Sequence, residues 1–389
     1  MPAAQRLPRT VLVLGWVSFL NDLASEMVTP LIPLVVAAIG AGPVALGLIE
    51  GSAEALASFL KLWSGRHSDW LGGRRKGLTL VGYVFSNLVR PLFGLVSGWP
   101  QLLALRSLDR FGKGLRTAPR DALLADATEP ALRGRAYGFN RAMDNGGAMG
   151  GSLLAAAILA ASGLDLAQVI LLSAIPGLLG VLLVAFGVRE PPPVSSATRA
   201  APPALRWHIL PPALRHYLLL VGLFAFARAS ETFLVFYGHG LGMGAVELLL
   251  LWAALSLAKS VTSLQGGRVA DRIGHARVVR LGWVAHGLGF GLVALAATPA
   301  MLWLAALAYG LATGFAEGAE RAVIAQVAAG DSRGTAFGWY NMVAGLTAIP
   351  AGLTFGLIWQ ATGAAGAFAA AAAIALLASA LLGRWLAAR

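Results

Sequence analysis

A nearly continuous row of basic side chains crosses a stretch of the sequence that is otherwise apolar. Between residues 100 and 126 the row follows positions spaced by three or four residues, namely Arg106, Arg110, Lys113, Thr117 and Arg120. In a helix this spacing places all of them on one face. Each charge at the centre of a bilayer costs roughly 2.5–3.5 kcal/mol unless it is paired or faces water. The row therefore predicts either ion pairing within the protein or the binding of a solute.

Acidic side chains that could pair with the basic row stand in other apolar stretches. Asp22 and Glu26 are four residues apart, as are Glu50 and Glu54, so each pair shares one helix face. A carboxylate in a partly dehydrated site binds a proton more readily than it does in water, and a nearby arginine has the opposite effect. We therefore expect Asp22 or Glu26 to carry a proton, with Arg110 as the switching partner.

The full set of candidates for proton coupling or solute binding rests on one rule, that an ionisable residue inside a membrane helix is a functional candidate. The set consists of Asp22, Glu26, Glu50, Glu54, Arg106, Asp109, Arg110, Lys113, Arg116, Arg141, Asp144, Arg228, Glu231, Glu317, Glu320 and Arg321. The arginines favour an anion, whereas the carboxylates with nearby aromatic residues favour a lipophilic cation. A structural salt-bridge network is the alternative for Glu50, Glu54, Lys61, Arg90 and Arg141.

The composition indicates a membrane protein with many spans. Of 389 residues, 57% are hydrophobic and 12% are charged, which is about half the charged share of a soluble protein. The formal net charge of +12 comes from arginines between apolar runs, so it indicates membrane topology rather than nucleic-acid binding. The absence of cysteine excludes disulfides, thiolate metal sites and cysteine nucleophiles. Scattered histidines and the lack of a P-loop predict no metal, no cofactor and no enzymatic activity.

Runs of about 20 apolar residues, the length that crosses the hydrocarbon core, predict an all-α integral membrane fold with twelve transmembrane helices. The predicted spans are 10–38, 44–66, 77–97, 101–124, 136–160, 166–188, 213–239, 245–266, 278–297, 301–326, 336–360 and 365–386. Arginine-rich and arginine-free connections alternate, which predicts that both termini and the central connection are cytoplasmic. The first apolar run has no small-residue cleavage site, so we expect it to be a retained span.

The chain is predicted to form two six-helix bundles, 1–188 and 213–389, joined by a proline-rich cytoplasmic linker at 189–212. The halves repeat one another. Residues 120–139 match 320–339 at several alanines and glycines and at one arginine, and the triplet Ala-Ser-Glu at 24–26 returns at 229–231. Parallel repeats with a binding site between them are an architecture of secondary transporters.

Two loops carry motifs that resemble the signature of a known family. Residues 65–76 read GRHSDWLGGRRK and residues 267–277 read GRVADRIGHAR, and each follows the second span of its half. Both resemble the major facilitator superfamily motif G-x-x-x-D-R-x-G-R-[RK], although Trp70 replaces the first arginine. The resemblance implies the two-bundle fold of that family and a charged cytoplasmic gate. The gate residues would be Asp69, Arg74, Arg75, Asp271, Arg272 and Arg277.

Two further motifs resemble those of proton-linked exporters in the same superfamily. Residues 106–112 read RSLDRFG, which is similar to the fourth-helix motif R-x-x-Q-G-x-G with Asp109 and Arg110 in place of glutamine and glycine. Residues 146–151 read GGAMGG and resemble the antiporter motif G-P-x-x-G-G without its proline. The resemblance also implies that spans one, four, seven and ten line the solute pathway, and these spans hold most of the intramembrane charges.

Together these features predict a secondary active transporter that moves a small solute across the bacterial inner membrane by alternating access. The proton gradient is the expected energy source, and export is the favoured direction. Uptake by symport, transport of an organic anion or a metal, and a membrane sensor that no longer transports are the alternatives. The expected partners are the solute and the lipid bilayer, without nucleic acid, and the expected oligomeric state is a monomer.

Overall fold

The computed structural model describes residues 7–70, 75–129, 132–190, 207–228, 230–316, 319–327 and 333–387, and within them the regular structure is helical throughout. The helices are α1 (Arg9–Glu26), α2 (Ile32–Ala38), α3 (Pro43–Trp70), α4 (Lys76–Val89), α5 (Trp99–Asp126), α6 (Arg133–Ser162), α7 (Leu166–Leu172), α8 (Ala174–Leu182), α9 (Pro212–Ala227), α10 (Thr232–Gly240), α11 (Ala245–Ile273), α12 (His275–Ala294), α13 (Pro299–Ala316), α14 (Ala319–Val327) and α15 (Arg333–Ala387). Short 3-10 segments lie at Thr29–Leu31, Arg90–Leu95 and Trp207–Ile209, and a π turn lies at Leu183–Gly187.

The predicted fold of twelve membrane helices is confirmed. Four spans consist of two helices each, α1 with α2, α7 with α8, α9 with α10 and α13 with α14, and α15 comprises the last two spans. Gly363 separates these two, because its φ of 81° lies in the left-handed region that glycine adopts without strain. Within the described residues, eight helical stretches are long and apolar enough to cross a membrane, and the charged α5 is not among them.

Spans one and seven are both interrupted at the same point of the sequence repeat. α1 ends at Glu26 and a 3-10 turn precedes α2, while α9 ends at Ala227 and α10 begins at Thr232. These interruptions coincide with the two Ala-Ser-Glu triplets. A helix end leaves backbone groups without their usual partners. Each interruption therefore creates a polar point inside a membrane span, a feature that is also known from proteins with broken membrane helices.

The chain divides into two compact units. The first draws its described residues from 1–29, 56–96 and 104–202, and the second draws them from 30–55, 97–103 and 203–389. The apolar core of the first unit includes Val11, Leu14, Val17, Tyr83 and Leu123. The core of the second unit includes Tyr217, Phe224, Trp283, Val323 and Ala378. The domain boundaries at 188 and 213 stay a prediction from the sequence.

Glycines let helices of the first unit approach one another backbone to backbone. A Cβ on Gly147 of α6 would lie 2.3 Å from the carbonyl oxygen of Phe19, and a Cβ on Gly151 would lie 2.3 Å from that of Leu23. A Cβ on Gly112 of α5 would meet a side-chain oxygen of α4 at 2.5 Å. Small residues commonly permit such close helix contacts in membranes. The packing holds α1 against α6 and α5 against α4, and it thereby positions the charged residues of α1 and α5.

Candidate functional site

Four arginines and two aspartates of the first unit lie within electrostatic range of one another. We call this set the N-terminal charge cluster, and its members are Asp22, Arg90, Arg106, Asp109, Arg110 and Arg116. Asp109 stands at its centre and is only 1% exposed. Arg90 Nε lies 3.0 Å from Asp109 Oδ1, whereas Arg106 and Arg110 approach Oδ2 to 3.7 and 3.9 Å. Two members of the predicted basic row are thus gathered around an aspartate of their own helix.

Arg90 reaches Asp109 because of the way in which α4 ends. The helix stops at Val89 and continues as a 3-10 segment whose first turn contains Pro91. The Ser86 hydroxyl donates to the backbone oxygen of Asp109 at 2.9 Å and holds the two helices at this level. Both partners of the ion pair are almost completely buried. Removing either one would leave the other charge in a low-dielectric surrounding.

Asn21 connects this buried ion pair with Asp22. Arg90 Nη1 donates to Asn21 Oδ1 at 3.2 Å and to Asn87 Oδ1 at 3.0 Å. Since a guanidinium group offers only donors, the amide of Asn21 turns its NH2 group away from Arg90. That NH2 group donates to Asp22 Oδ1 at 2.9 Å. A chain of polar contacts therefore runs from the buried Asp109 through Arg90 and Asn21 to Asp22, which is half-buried.

Arg116 has a different surrounding from the other arginines of the cluster. It is 4% exposed, and its guanidinium carbon lies 4.4 Å from the centre of the Tyr83 ring, which is a cation–π contact. Among the residues that the structure describes, Arg116 Nε and the Tyr83 hydroxyl have no hydrogen-bond partner. Buried polar groups are normally hydrogen-bonded, so this pair is an exception.

The last arginine of the basic row belongs to a separate ion pair that joins α5 with α6. Arg120 Nη1 lies 3.5 Å from Asp144 Oδ1 and donates to the Ser18 hydroxyl at 3.0 Å. Arg120 Nη2 lies 2.8 Å from Asp121 Oδ1. Arg141, which is three residues before Asp144 in the sequence, is exposed. The predicted row is therefore divided between two groups of contacts along α5.

The second unit contains a buried carboxylate with a complete set of donors. The Glu320 carboxylate lies 2.5 Å from Arg228 Nη2, and it accepts hydrogen bonds from Trp283 Nε1 at 2.9 Å and from the Tyr340 hydroxyl at 3.0 Å. Arg228 directly follows the end of α9. Its position at the interruption of span seven allows its side chain to reach α14. The interruption thus serves to place a guanidinium group beside Glu320.

Side chains from neighbouring helices fix both sides of the interruption in span seven. Glu231 lies 2.5 Å from Lys259 Nζ of α11 and accepts a hydrogen bond of 3.4 Å from the Tyr309 hydroxyl of α13. On the other side, His286 Nε2 lies 3.2 Å from the backbone oxygen of Ala227, the last residue of α9. His286 is buried, so this contact provides a polar partner for a carbonyl group at a helix end.

Only part of the predicted charged gate falls within the described side chains. Arg75 Nε lies 3.2 Å from Asp126 Oδ2, which joins the beginning of α4 to the end of α5. The backbone N–H groups of Arg75 and Lys76 also donate to the Glu190 carboxylate. Two of the predicted gate residues are exposed, namely Arg272 and Arg277. Outside the described part lie Arg74 and the side chains of Asp69 and Asp271.

The remaining candidates from the sequence are spread over both units. Glu26 and Lys113 are half-buried in the first unit, and Glu54 is exposed in the second. Glu50 accepts a hydrogen bond of 3.4 Å from the Ser230 hydroxyl. Outside the described part lie Glu317 and the side chain of Arg321. Within the described residues, no group of three or more His, Cys, Asp or Glu side chains is arranged to hold a metal ion.

Sequence reasoning overlooked several residues that the structure brings to these clusters. The sequence predicts only a structural salt-bridge role for Arg90, and it does not single out Lys259. Both are charged residues within predicted spans, and this property alone is enough to make them candidates. Asn21 and Trp283 carry no such signal, because neutral polar side chains are common in membrane helices. Asn21 is identified by its contacts with Arg90 and Asp22, and Trp283 is identified by its hydrogen bond to Glu320.

Twelve membrane helices with ion pairs buried inside several spans are typical of membrane transporters. The family model described as Major Facilitator Superfamily matches residues 14–259 and 218–389, and the chain belongs to this family. The resemblance seen in the two loop motifs is thereby confirmed. The chain is a multi-pass transporter of small solutes and not an enzyme.

Relatives of similar length exist in other organisms. An uncharacterised MFS-type transporter of Methanocaldococcus jannaschii is 30% identical over 365 residues, which cover 92% of this chain and 90% of that protein. An uncharacterised protein of Mycobacterium tuberculosis is 29% identical over 351 residues, which cover 88% of this chain and 84% of that protein.

Solved structures share the fold at lower sequence identity. A variant of the nucleoside transporter NupG is similar with a TM-score of 0.80 at 15% identity, covering 97% of this chain and 99% of that one. The human organic anion transporter MFSD10 is similar with a TM-score of 0.69 at 20% identity, covering 96% of this chain and 99% of that one. At these identities the likeness shows the fold alone.

Proposed function

We propose that this chain is a proton-coupled secondary transporter of a small solute, in which Asp22 takes up and releases the proton. The observation that carries the proposal is the chain of polar contacts from Asp109 through Arg90 and Asn21 to Asp22. It connects a carboxylate that is enclosed among arginines with one that is half-buried.

The two aspartates differ in what a proton would do to their surroundings. Protonation of Asp109 would remove the negative partner of the buried Arg90, which is strongly unfavourable in a low-dielectric surrounding. Asp22 instead accepts from the neutral amide of Asn21. A protonated carboxyl group keeps an acceptor oxygen, so this hydrogen bond survives protonation. Asp22 can therefore change its charge while the contacts of Asp109 stay in place.

Alternating access would bring the Asp22 carboxyl to water on one side of the membrane and then on the other. Proton uptake on one side and release on the other would couple the proton gradient to movement of the solute. Arg110 is the switching partner in this scheme, because it follows Asp109 on α5 and lies 3.9 Å from its carboxylate. Glu26, one turn further along α1, is the second carboxylate for the proton role.

Two candidates exist for the direction of coupling. Export in exchange for protons is favoured by the resemblance of residues 146–151 to the antiporter motif. Gly147 and Gly151 also allow the close packing of α6 on α1. This packing explains the two glycines whether the protein exports or takes up its solute. Symport is favoured by the arginines of the N-terminal charge cluster. A proton on Asp22 increases the positive charge of that cluster, so it would promote the binding of an anion rather than compete with it.

Charge movement after a pH step tests the proton site without a known solute. Proteoliposomes adsorbed to a solid-supported membrane are expected to give a transient current when the external pH changes, because protons enter or leave the protein. Asp22→Asn should abolish this current. Asp165→Asn, which alters an exposed capping residue of α7, should leave it unchanged. A current of normal size in Asp22→Asn would remove Asp22 from the proton role, and loss of the current only in Glu26→Gln would assign that role to Glu26.

Transport by inverted membrane vesicles then separates the two directions. Any solute that stabilises the purified protein can serve as the radiolabelled probe. Exchange predicts accumulation of the probe when the vesicle interior is more acidic than the medium. Symport predicts accumulation under the opposite pH gradient. Vesicles that contain Asp22→Asn protein are the control, since they should equilibrate the probe without responding to either gradient.

A further inference from the structure

A proton that reaches Asp22 must cross about half of the membrane. Asp22 lies roughly 20 Å from the start of α1, since a helix rises by about 1.5 Å per residue. The hydrocarbon core is about 30 Å thick, so this position is near its centre. α1 begins, α5 ends and α6 begins on the side of the arginine-rich connections, which is predicted to be cytoplasmic. A route for protons from that side needs polar groups between these three helices.

Side chains of α1, α5 and α6 form such a set on the arginine-rich side of Asp22. We call it the Asp144 group, and it consists of Ser18, Arg120, Asn140 and Asp144. Arg120 Nη1 donates to the Ser18 hydroxyl at 3.0 Å, and this hydroxyl donates to Asn140 Oδ1 at 3.2 Å. Asn140 Nδ2 donates to Asp144 Oδ2 at 3.4 Å. Three helices thus contribute to one connected set of hydrogen bonds around Asp144.

The Asp144 group extends from a level that water reaches towards the centre of the membrane. Asp121, next to Arg120 on α5, lies about 8 Å from the end of that helix, and its side chain is 45% exposed. Asp144 lies about 17 Å from the start of α6, and its side chain is 13% exposed. Asp144 is therefore a carboxylate at nearly the depth of Asp22, and the group connects it with the hydrated end of α5.

Asp144 and Asp22 are close enough to influence each other. They lie within electrostatic range, and the glycine contacts at Gly147 and Gly151 hold α6 against α1 on both sides of Asp22. Two carboxylates in one low-dielectric site tend to share a proton, because ionisation of both would bring two negative charges together. The basic residues that act on this pair from α4, α5 and α6 are Arg90, Arg120 and Arg141.

A proton can bind to Asp144 without leaving its basic partner unpaired. Arg120 Nη1 lies 3.5 Å from Asp144 Oδ1. The same guanidinium group also pairs with Asp121 at 2.8 Å and donates to Ser18, and protonation of Asp144 leaves both contacts in place. The hydrogen bond from Asn140 survives as well, since a carboxyl group keeps an acceptor oxygen. Arg120 stays charged, so Asp144 is the member of the group that can take up a proton.

We infer that Asp144 is a relay carboxylate that carries protons between the arginine-rich side of the membrane and Asp22. The inference rests on the proposed function and adds the route that the proton follows. The Asp144 carboxylate takes a proton from a hydronium ion that enters from this side, which leaves water and a neutral carboxyl group. It then gives this proton to the Asp22 carboxylate and becomes a carboxylate again. Release from Asp22 follows the same steps in reverse.

The rate of the charge movement tests the relay. A flash releases protons from a caged compound above proteoliposomes on a solid-supported membrane, and the transferred charge and its relaxation time are both measured. Asp144→Asn should transfer as much charge as wild type, because Asp22 still takes up the proton. Its relaxation should be slower by about tenfold or more, since a positioned proton-transfer group typically contributes at least that much to a rate. Asp22→Asn should transfer no charge.

Asp121→Asn is the matched control for a purely structural role of Asp144. It removes the closer acidic partner of Arg120 and keeps both carboxylates of the relay. Its relaxation time should equal that of wild type. Asp144→Glu keeps a carboxyl group at the relay position and should relax faster than Asp144→Asn. A wild-type rate in Asp144→Asn, equal slowing in Asp121→Asn, or a rate in Asp144→Glu as slow as that in Asp144→Asn would contradict the inference.

Membrane vesicles of known orientation test the direction of the route. Inverted vesicles expose the predicted cytoplasmic face to the released protons, and the slower relaxation of Asp144→Asn should appear in them. In right-side-out vesicles the protons arrive from the opposite side, so wild type and Asp144→Asn should relax equally fast. Slowing of Asp144→Asn in right-side-out vesicles would overturn the route.

Time-resolved infrared spectroscopy of wild type provides a test that does not depend on the folding of any variant. The relay predicts a carboxyl band that appears after the flash and decays while a second, lasting carboxyl band rises. A single band that rises in one phase would refute the relay. Loss of the charge in Asp22→Asn together with a wild-type rate in Asp144→Asn would keep the proposed function and refute only this inference. A normal charge in Asp22→Asn would instead refute the proposed function.

Discussion

Replacing Asp109 with asparagine tests the energetic role of the carboxylate at the centre of the N-terminal charge cluster. The substitution preserves the size of the side chain and removes its charge. Arg90, which is 3% exposed, would then face a neutral amide. Breaking a buried ion pair by removing one partner costs about 3–5 kcal/mol. Two more arginines lose their contact with the same carboxylate. We therefore expect the free energy of unfolding to fall by at least about 3 kcal/mol.

Asp121→Asn is the matched control. Asp121 pairs with Arg120 at 2.8 Å, which is closer than any ion pair of Asp109, but its side chain is 45% exposed. An exposed pair contributes about 0–1 kcal/mol, so the loss should be no larger than that. A double variant, Asp109→Asn with Arg90→Gln, removes both charges of the buried pair. It should recover part of the stability, because the uncompensated guanidinium group is gone.

Unfolding of the purified variants by SDS in mixed micelles, followed by circular dichroism, measures these differences. Elution from a size-exclusion column before the titration confirms that each variant is folded at the start. If Asp109→Asn and Asp121→Asn lowered the free energy of unfolding equally, the reasoning would be refuted, because burial would then not affect the energy of an ion pair. A double variant as unstable as the single one would also refute it, because the stranded charge of Arg90 could not be the cause.

Two further substitutions test the packing and the second buried carboxylate. Gly151→Ala places a Cβ 2.3 Å from a backbone oxygen of α1 and should lower the free energy of unfolding by about 1–3 kcal/mol. The control Gly138→Ala, in the same helix, adds a Cβ that meets nothing within 4 Å and should not destabilise the protein. Equal thermal midpoints for the two variants would contradict the close packing of α6 on α1. Trp283→Phe removes a buried indole donor to Glu320 and should cost about 1.5–3 kcal/mol in the SDS titration. Trp303→Phe removes a part-buried indole donor to Glu247 and should lower the free energy of unfolding by less. A larger loss for Trp303→Phe than for Trp283→Phe would show that burial does not determine the strength of these hydrogen bonds.

The twelve helices and the family could be predicted from the sequence because both depend on local features. Span length and apolar composition follow from the thickness of the bilayer, and the loop motifs at 65–76 and 267–277 are contiguous. The basic face of α5 likewise follows from spacing along one helix. These predictions required no knowledge of how the helices pack.

The partners of the charges could not be predicted, because they depend on how helices end and cross. Arg90 meets Asp109 at the point where α4 changes to a 3-10 segment. The repeated Ala-Ser-Glu triplets were visible in the sequence, but the helix interruptions beside them were not. The interruption in span seven is accompanied by tertiary contacts such as the one between His286 and the Ala227 carbonyl, which the sequence does not reveal. The sites themselves stay predictions until the variants are measured.

The glycine contacts between α1 and α6 have a mechanical consequence. Gly147 and Gly151 are one turn apart, and they leave no room for a Cβ beside the carbonyl groups of Phe19 and Leu23, which are also one turn apart. Intermediate positions along the helix axis would bring larger side chains against the backbone, so α1 cannot slide along α6 by small increments. A full turn of about 5.4 Å is the nearest shift that restores the register. Asp22 lies between the two contact points and therefore keeps its position relative to α6. Any change of its depth in the membrane must move α1 and α6 together.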